Sequence, residues 1–372
     1  MPRKILIVPD KFKGTLRARQ AGEALARGWQ SVRPADELEL LPMSDGGDGF
    51  GEIISQMLGA ELRGAPVVDA AHRPIKVRWW LDPQSQTAIF EAAQANGLAQ
   101  LPPGQYHPFQ LDSRGVGLLL QVVRRAGARR CLVGIGGSAT NDGGFGMARA
   151  LGWKFMDKSG HLIERWPDLQ DLHHVVQPSE NLGFDEVLVA VDVQNPLLGP
   201  RGCSRVYGPQ KGLKESEFVC AESCLARLAE VVSGNVSQEL AEKPGAGAAG
   251  GLGFGLMCFA EARLVPGFQL FARHARLEER LSSAALVLTG EGSIDESTLM
   301  GKGVGELAVL CQQRRVACIA IAGVAAPEVR SQSLFSAVYA LTPDLTVREQ
   351  ALAQPGHWIA QAAAQAAREW ML

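Results

Sequence analysis

One glycine-rich loop has the residue types that would hold a phosphate group. It follows an apolar strand pattern and precedes a short helical pattern. Glycines let backbone N–H groups approach a phosphate closely, serine and threonine hydroxyls add donors, and the dipole of a following helix favours the negative charge. We therefore expect a phosphate to bind here. The loop reads Gly134-Ile135-Gly136-Gly137-Ser138-Ala139-Thr140-Asn141-Asp142-Gly143-Gly144.

The same loop fits two alternatives. Gly134, Gly136 and Ala139 match a dinucleotide-binding fingerprint, and Asp157 follows at about the right distance, which would indicate an NAD-dependent enzyme. That interpretation conflicts with residues 141–144, which would interrupt the helix that should open at the fingerprint. The second alternative is a tight strand-to-helix turn that binds no ligand.

The sequence lacks the signatures of the two largest phosphotransferase classes. The Gly301-Lys302 pair has Glu296 where a Walker A motif needs its first glycine, and Gly303 where it needs serine or threonine. The glycine-rich loop, catalytic aspartate and Asp-Phe-Gly set of protein kinases is also missing. A phosphotransferase with this sequence would belong to neither class.

Carboxylates follow three apolar segments of the chain. At the carboxyl ends of strands in an α/β sheet, such groups face the usual ligand crevice. They suit a hard cation such as Mg²⁺, or a base that takes the proton of a substrate hydroxyl. A helix cap or a loop hydrogen bond is the alternative for each one. The three groups are Asp45 with Asp48, Asp192 ahead of Asn195, and Glu291 with Asp295.

Basic residues lie beside several of these loops. Lysine and arginine there could hold a phosphate or a carboxylate, whereas a solvated side chain is the alternative for each. The residues are Lys11, Lys13, Arg201, Arg205, Lys211 and Lys302.

A second glycine-rich segment, residues 244–253, opens another helical pattern. It contains no reactive side chain. It can supply backbone donors to a ligand, close packing against another segment, or both.

Composition limits the class of protein. The formal net charge of -2 argues against a partner held by bulk charge, such as a nucleic acid or an anionic membrane. We expect no membrane span, because the long uncharged stretch at residues 244–260 is short and rich in glycine. The seven cysteines form no metal-ligand spacing, and we expect reduced thiols in a cytoplasmic protein.

Strand and helix patterns alternate near both chain ends. Apolar strands are predicted at Lys4–Val8 and Ala284–Leu288, and a helix at Leu16–Val32 with Thr15 as its N-cap. Strand–loop–helix units of this kind build a parallel sheet covered on both faces. We therefore predict a doubly wound, Rossmann- or flavodoxin-like α/β domain.

The middle of the chain has a different pattern. The segments Ile75–Leu81 and Thr87–Ala92 predict a meander or hairpin, and 201–212 predicts a loop. We therefore expect two α/β domains, with a mixed-sheet domain inserted into the parallel one. The first would comprise residues 1–66 plus 284–372, and the inserted domain residues 67–283.

Taken together, these motifs identify a family resemblance. The chain resembles the type I glycerate kinases, bacterial enzymes that phosphorylate D-glycerate with ATP, along nearly its whole length. The order and spacing of the motifs make the resemblance specific. They are Val8-Pro9-Asp10-x-Phe12-Lys13-Gly14, Ser44-Asp45-Gly46-Gly47-Asp48-Gly49, the loop from Gly134 to Gly144, Asp192-Val193-x-Asn195-Pro196-Leu197, Gly199-Pro200-Arg201-Gly202-x-Ser204, Tyr207-Gly208-Pro209-Gln210-Lys211-Gly212, Pro244 to Gly253, and Thr289-Gly290-Glu291-Gly292-x-Ile294-Asp295.

The resemblance implies MgATP as phosphoryl donor and the glycerate 2-hydroxyl as acceptor. It does not fix individual roles, which we infer from residue type. We expect Gly136–Gly144 to lie near the ATP phosphates. Asp192 and Asp295 are candidates for base or Mg²⁺ ligand, and Lys11 and Lys13 for catalytic cations. The candidate substrate-binding residues are Asp10, Asp45, Gly46, Gly47, Arg201, Lys211 and Glu291.

The chain also departs from the family pattern near these motifs. A serine usually follows the first aspartate where Lys11 stands, glutamate is usual at Asp48, and arginine is usual at Ser293. Two alternatives therefore stay open: a kinase of another small hydroxy acid, and a non-catalytic metabolite sensor. The sequence does not distinguish a monomer from a homodimer, or 2- from 3-phosphorylation.

Overall fold

The computed structural model describes residues 2–180, 182–233, 235–299, 303–330 and 333–370. The chain divides into two units: unit 1 comprises Met1–Asp45 and Phe268–Leu372, and unit 2 comprises Gly46–Gly267.

The elements alternate along both units. The strands are β1 (Lys4–Pro9), β2 (Glu37–Leu40), β3 (Glu61–Val68), β4 (Pro74–Asp82), β5 (Thr87–Glu91), β6 (Arg130–Gly134), β7 (Lys154–Asp157), β8 (Leu172–Val176), β9 (Glu186–Val191), β10 (Arg263–Pro266), β11 (Leu286–Ile294), β12 (Ala317–Ala325) and β13 (Ala337–Thr342). The α-helices are α1 (Ala18–Gln30), α2 (Phe50–Leu58), α3 (Ala93–Asn96), α4 (Arg114–Arg125), α5 (Phe145–Ala150), α6 (Cys203–Lys211), α7 (Phe218–Ser233), α8 (Asn235–Glu242), α9 (Ala248–Ala260), α10 (Gly267–His274), α11 (Leu277–Ser283), α12 (Glu296–Leu299), α13 (Gly303–Arg314), α14 (Pro327–Arg330), α15 (Arg348–Ala353) and α16 (Pro355–Glu369). Short 3₁₀ turns occupy Leu98–Gln100, Pro108–Gln110, Trp166–Asp171 and Glu215–Glu217.

Unit 1 contains a parallel five-stranded sheet in the order β13-β12-β11-β1-β2. The four residues Ile5 to Val8 of β1, which lies between β11 and β2, are all fully buried. A strand buried on both faces is typical of a parallel sheet with helices on each side. The predicted α/β fold with a parallel sheet is confirmed.

Helix α1 packs against α16 on one side of this sheet. The approach is close, because a Cβ atom at Gly28 would lie 2.1 Å from the Ala360 carbonyl oxygen. The predicted N-cap was wrong: α1 begins at Ala18 after Arg17, and the Thr15 hydroxyl instead donates to the Phe12 carbonyl at 2.9 Å. The hydroxyl is used by the turn that precedes the helix.

Unit 2 contains a mixed six-stranded sheet in the order β10-β9-β6-β5-β4-β3. Strands β3, β4 and β5 are antiparallel neighbours, whereas β5, β6, β9 and β10 are parallel. The hairpin predicted from residues 75–92 is therefore confirmed as β4 and β5. A second, two-stranded antiparallel sheet is formed by β7 and β8.

The segment predicted as a loop at residues 201–212 is largely the helix α6, so that prediction was wrong. Gly202 has an extended backbone at the start of α6, and Gly212 ends it with a left-handed φ of 100°. The buried residues Ser204, Gly208 and Lys211 recur at intervals of four and three, which is helical spacing. Glycine and proline concealed that periodicity in the sequence.

The unit boundaries differ from the predicted domain boundaries. Residues 46–66 belong to unit 2 because β3 pairs along its length with β4. Residues 268–283 belong to unit 1, where α11 packs against β1. No helix in the described part of the chain is both long and apolar enough to cross a membrane.

Candidate functional site

Three carboxylates meet at the carboxyl end of the sheet in unit 1. Asp10 directly follows β1, and its backbone N–H donates to the Gly290 carbonyl of β11 at 2.8 Å. Glu291 is the next residue of β11. The chain after β2 continues along β1, with Met43 N donating to the Pro9 carbonyl at 2.9 Å, and this brings Asp45 to the same end.

Asp10 is poised to exchange a proton near neutral pH. Its side chain is only 8% exposed. Burial, together with the negative charges of Asp45 and Glu291, raises the pKa of Asp10 to about 7 against the opposing effect of Lys11. The Lys11 backbone N–H donates to Asp10 Oδ1 at 2.7 Å and fixes the carboxylate.

A hydrogen-bonded turn follows Glu291 at the end of β11. The Thr298 hydroxyl donates to Glu291 Oε1 at 2.8 Å, and the Asp295 backbone N–H donates to that hydroxyl at 3.4 Å. The Ser293 hydroxyl donates to Asp295 Oδ2 at 3.3 Å. The half-buried Asp295 therefore lies in the same turn as Glu291. The spacing of the two residues in the sequence had suggested this grouping.

The two candidate lysines after β1 differ in environment. Lys11 is half-buried and its charge acts on Asp10, whereas Lys13 is exposed. The loop carrying them runs beside Gly292, where a Cβ atom would lie 3.3 Å from the backbone nitrogen of Lys13. Lys302 lies outside the described residues.

In unit 2, the glycine-rich loop after β6 packs on the Gly46-Gly47 segment. Gly136 N donates to the Gly46 carbonyl at 3.3 Å, and a Cβ atom at Gly136 would lie 2.8 Å from Gly47 Cα. Asp48 is exposed, with Oδ1 3.2 Å from the Cβ position of Gly137. Within the predicted loop, Gly136 and Gly137 are accessible and residues 138–144 are buried.

Asp142 anchors this loop from inside. Its Oδ2 accepts hydrogen bonds from the Ser113 backbone at 2.9 Å, the Ser113 hydroxyl at 2.7 Å and the Gly146 backbone at 2.9 Å. The carboxylate is fully buried, and burial followed by the nearby charge of Asp112 raises its pKa. Asp142 therefore holds the loop against α4 and α5, and its carboxylate faces protein donors.

The second glycine-rich segment packs directly on the first. Gly143 N donates to the Gly250 carbonyl at 3.1 Å, and a Cβ atom at Gly250 would lie 1.9 Å from the Thr140 carbonyl oxygen. Ala249, Gly250 and Gly251 all have left-handed backbone conformations, with φ of 56°, 71° and 84°. Close packing, one of the two roles considered for this segment, is therefore what the glycines permit.

Lys211 reaches the glycine-rich loop from α6. Its ammonium donates to Ser138 Oγ at 3.0 Å and to the Thr140 carbonyl at 2.7 Å. The residue is 5% exposed, and burial lowers its pKa to about 8. Nearby, the Asn141 amide donates to the buried Ser204 hydroxyl at 2.9 Å, an interaction that sequence inspection missed.

The loop carrying Asp192 and Arg201 is held by Asn195. The Tyr207 hydroxyl donates to Asn195 Oδ1 at 2.6 Å, and Asn195 Nδ2 donates to the Arg201 carbonyl at 2.7 Å. Burial, and then the charge of Asp192, raise the pKa of Tyr207 to about 12. The side chains of Asp192 and Arg201 remain exposed, whereas Arg205 pairs with Glu222 at 3.1 Å.

The structure groups some candidate residues and separates others. Asp10, Asp45 and Glu291 lie together in unit 1. Asp192 belongs to unit 2 and Asp295 to unit 1, so neither unit by itself contains both. Sequence inspection also missed Glu91, a buried carboxylate at the end of β5 that accepts a hydrogen bond from Gly51 N at 2.8 Å. Glu91 stands at the end of an apolar strand, the same feature that identified the other candidate carboxylates, and could have been found from it.

A magnesium ion that arrives with a phosphate needs few protein carboxylates. Among the described residues, no group of three or more His, Cys, Asp or Glu side chains is arranged to hold a metal ion. Mg²⁺ typically keeps several waters and takes one or two carboxylates together with substrate phosphates. Asp192 is exposed and Asp295 is half-buried, so either could supply one such carboxylate.

Comparisons with known proteins converge on one family. A sequence model described as the glycerate kinase family matches residues 5–371. The glycerate kinase of Halalkalibacterium halodurans is 35% identical over 364 residues, covering 96% of each chain. The glycerate 2-kinase of Escherichia coli K12 is 37% identical over 328 residues, covering 86% of this chain and 85% of the relative. A crystal structure described as glycerate kinase 2 of Salmonella typhimurium LT2 matches with a TM-score of 0.83 and 31% identity, covering 99% of this chain and 98% of its own.

Proposed function

The chain belongs to the glycerate kinase family, and we propose that it transfers the γ-phosphoryl group of MgATP to the 2-hydroxyl of D-glycerate. The family supports the enzyme class and the acceptor. The name of the Escherichia coli relative, glycerate 2-kinase, supports the 2-hydroxyl as the site of transfer. The products are 2-phosphoglycerate and ADP.

The observation that carries this proposal is the environment of Asp10. A general base works best when its pKa lies near the working pH, and the pKa of Asp10 is about 7. In the proposed step, the Asp10 carboxylate accepts the proton of the 2-hydroxyl. The hydroxyl oxygen forms the new bond to the γ-phosphorus, the bond from that phosphorus to the bridging oxygen breaks, and ADP leaves.

The remaining roles follow from charge and accessibility. In unit 1, Lys11 supplies a positive charge beside Asp10, which suits the developing charge of phosphoryl transfer, and Lys13 is an exposed cation on the same loop. In unit 2, the accessible backbone of Gly136 and Gly137 suits phosphate oxygens. The exposed guanidinium of Arg201 suits a carboxylate such as that of glycerate.

Magnesium is proposed as the ion bound to ATP, with either Asp192 or Asp295 as its candidate protein ligand. When bound, Mg²⁺ neutralises phosphate charge during transfer. In unit 1, the Ser293 hydroxyl donates to Asp295 Oδ2 and so restricts where that carboxylate can turn.

The proposal is tested by product identification. The purified protein is incubated with MgATP and D-glycerate, with L-glycerate and small C3–C4 hydroxy acids in parallel, while ADP release is followed. Phosphorus NMR then identifies the product. We expect rapid formation of 2-phosphoglycerate. Turnover of another acid but not of glycerate would overturn glycerate as the substrate, and Lys11, Asp48 and Ser293 would then be the first residues to test for altered specificity. The absence of turnover with every acid would favour a metabolite sensor.

Two single substitutions separate the proposed metal ligands. We expect Asp192→Asn or Asp295→Asn to lower kcat at least roughly a hundredfold, because a lost carboxylate ligand misplaces the ion on the phosphates. The assay is steady-state turnover over a range of Mg²⁺ concentrations, with circular dichroism as the folding control. A ligand variant should recover part of its rate at high Mg²⁺. Near-normal turnover would remove the substituted residue from the site.

The thiols support a cytoplasmic location. Cys131, Cys203, Cys220, Cys224, Cys258, Cys311 and Cys318 are all free. Free thiols are typical of proteins that function in a reducing compartment. The chain is proposed to act there on small molecules, as a monomer or a homodimer, without a nucleic acid or membrane partner.

A further inference from the structure

The ammonium of Lys211 is buried in unit 2 among neutral acceptors. Within the described part of the chain, its hydrogen-bond acceptors are Ser138 Oγ at 3.0 Å and the Thr140 carbonyl at 2.7 Å. A buried cation is costly unless it is hydrogen-bonded and its charge is balanced. The charge of the neighbouring Asp142 offsets part of this cost, and the ammonium brings a positive charge to the glycine-rich loop that a bound anion would also feel.

Ser138 is the residue through which Lys211 can act on such an anion. Because Oγ accepts a hydrogen bond from the ammonium, the serine proton must point elsewhere. Polarisation by the positive charge makes this O–H a stronger donor. Ser138 is itself buried, but it directly follows the exposed residue Gly137 and so lies next to the accessible part of the loop.

We propose that Lys211 is a positioning residue that fixes Ser138 and Thr140 so that the Ser138 hydroxyl donates to a phosphate oxygen of the nucleotide. This differs from direct contact between Lys211 and the substrate, which residue type alone had suggested. It rests on the proposed function for the identity of the ligand. The chemistry recognised is a nucleoside polyphosphate.

The charge state of Lys211 gives the arrangement a pH dependence. Burial lowers the pKa of Lys211 to about 8, and the neighbouring Cys203 and Asp142 oppose that change. Cys203 is itself buried, with its pKa raised to about 11, so it stays neutral at pH 8. Lys211 is therefore charged below about pH 8, and nucleotide affinity should fall as the pH rises above it.

The test is equilibrium binding of ADP, measured by calorimetry from pH 6.5 to 9.5. The variants are Lys211→Met, Ser138→Ala and the double variant, with Lys214→Met as an exposed lysine control. We expect each of the first two to weaken binding roughly tenfold or more, and the double variant to be no weaker than Lys211→Met. The decline above pH 8 should be absent in Lys211→Met. Lys214→Met should behave as wild type.

The outcomes separate this inference from the proposed function. Unchanged ADP affinity in Lys211→Met, or additive losses in the double variant, would overturn the action through Ser138 even if glycerate is phosphorylated. ADP binding that depends on Lys211 without turnover of glycerate would overturn the proposed function alone. If Lys211→Met does not fold, Ser138→Ala still tests the proposal. Wild-type ADP affinity in Ser138→Ala would contradict the role of Ser138 as a donor.

Discussion

Asp10→Asn is expected to lower kcat for glycerate phosphorylation by two to four orders of magnitude, roughly the contribution of a well-placed general base. Asparagine has nearly the same shape, but its amide cannot accept the hydroxyl proton. The wild-type rate should rise with pH to a plateau above about 7, the pKa to which burial and the neighbouring carboxylates raise Asp10. The measurement is kcat and kcat/KM from pH 5.5 to 9, and the rising limb near pH 7 should be lost in the variant.

The matched control is Asp344→Asn, at an exposed aspartate of the same unit paired with Arg330. It should keep the wild-type rate and pH profile. Folding of Asp10→Asn is followed by urea unfolding. Because the pKa of Asp10 is raised from 3.8 to about 7, the folded state retains a proton that the unfolded state loses, and wild-type stability falls as pH rises through that range. In Asp10→Asn, this fall in stability with rising pH should be absent. A wild-type kcat in the same variant would show that Asp10 is not the base.

Gly250→Ala should destabilise unit 2 by at least about 3 kcal/mol, because two costs combine at one position. The backbone of Gly250 has a φ of 71°, which favours glycine, and an added Cβ atom would lie 1.9 Å from the Thr140 carbonyl oxygen. A backbone shift at Gly250 or at Thr140 would break the contact between the two glycine-rich segments. The measurement is the midpoint of urea unfolding, together with ADP affinity of any folded fraction.

Gly104→Ala separates these two costs. Gly104 has nearly the same φ, 70°, but nothing lies within 4 Å of its Cβ position. Gly104→Ala should therefore lower the free energy of unfolding only by the cost of the left-handed backbone conformation, about 1 kcal/mol. Equal losses in Gly104→Ala and Gly250→Ala would show that the close approach to Thr140 contributes nothing, contrary to the packing argued above.

Local hydrophobic patterns predicted those helices and strands whose own residues carry a clear periodicity or an apolar run. Strand β1 occupies Lys4–Pro9, one residue beyond the predicted Lys4–Val8, since its apolar residues form a continuous run. The helix α6 was missed because Cys203 is the only hydrophobic residue among its buried positions, and the other three, Ser204, Gly208 and Lys211, contribute no hydrophobic signal. Strand β3 was also missed, because it is half-exposed and becomes a strand through its partner β4.

The candidate site could be predicted only in part, for a related reason. Carboxylates after apolar strands were recognisable one by one. The adjacency of Asp10 to Glu291 depends on β1 lying beside β11, a pairing that no local pattern specifies. The roles of Asp142 and Lys211 depend on burial, and an aspartate or lysine in a glycine-rich motif gives no indication that its charge will be enclosed.

The sheet order of unit 1 constrains the order of events during synthesis. Val8 of β1 is bound by the Thr289 hydroxyl, 281 residues further along the chain. Unit 2 is continuous, so its residues are all available on the ribosome before β11, β12 and β13 are made. Domains generally fold as units while the chain emerges. The apolar strand β1 therefore remains unpaired on its β11 side while unit 2 folds, and an unpaired apolar strand is prone to aggregation during that interval.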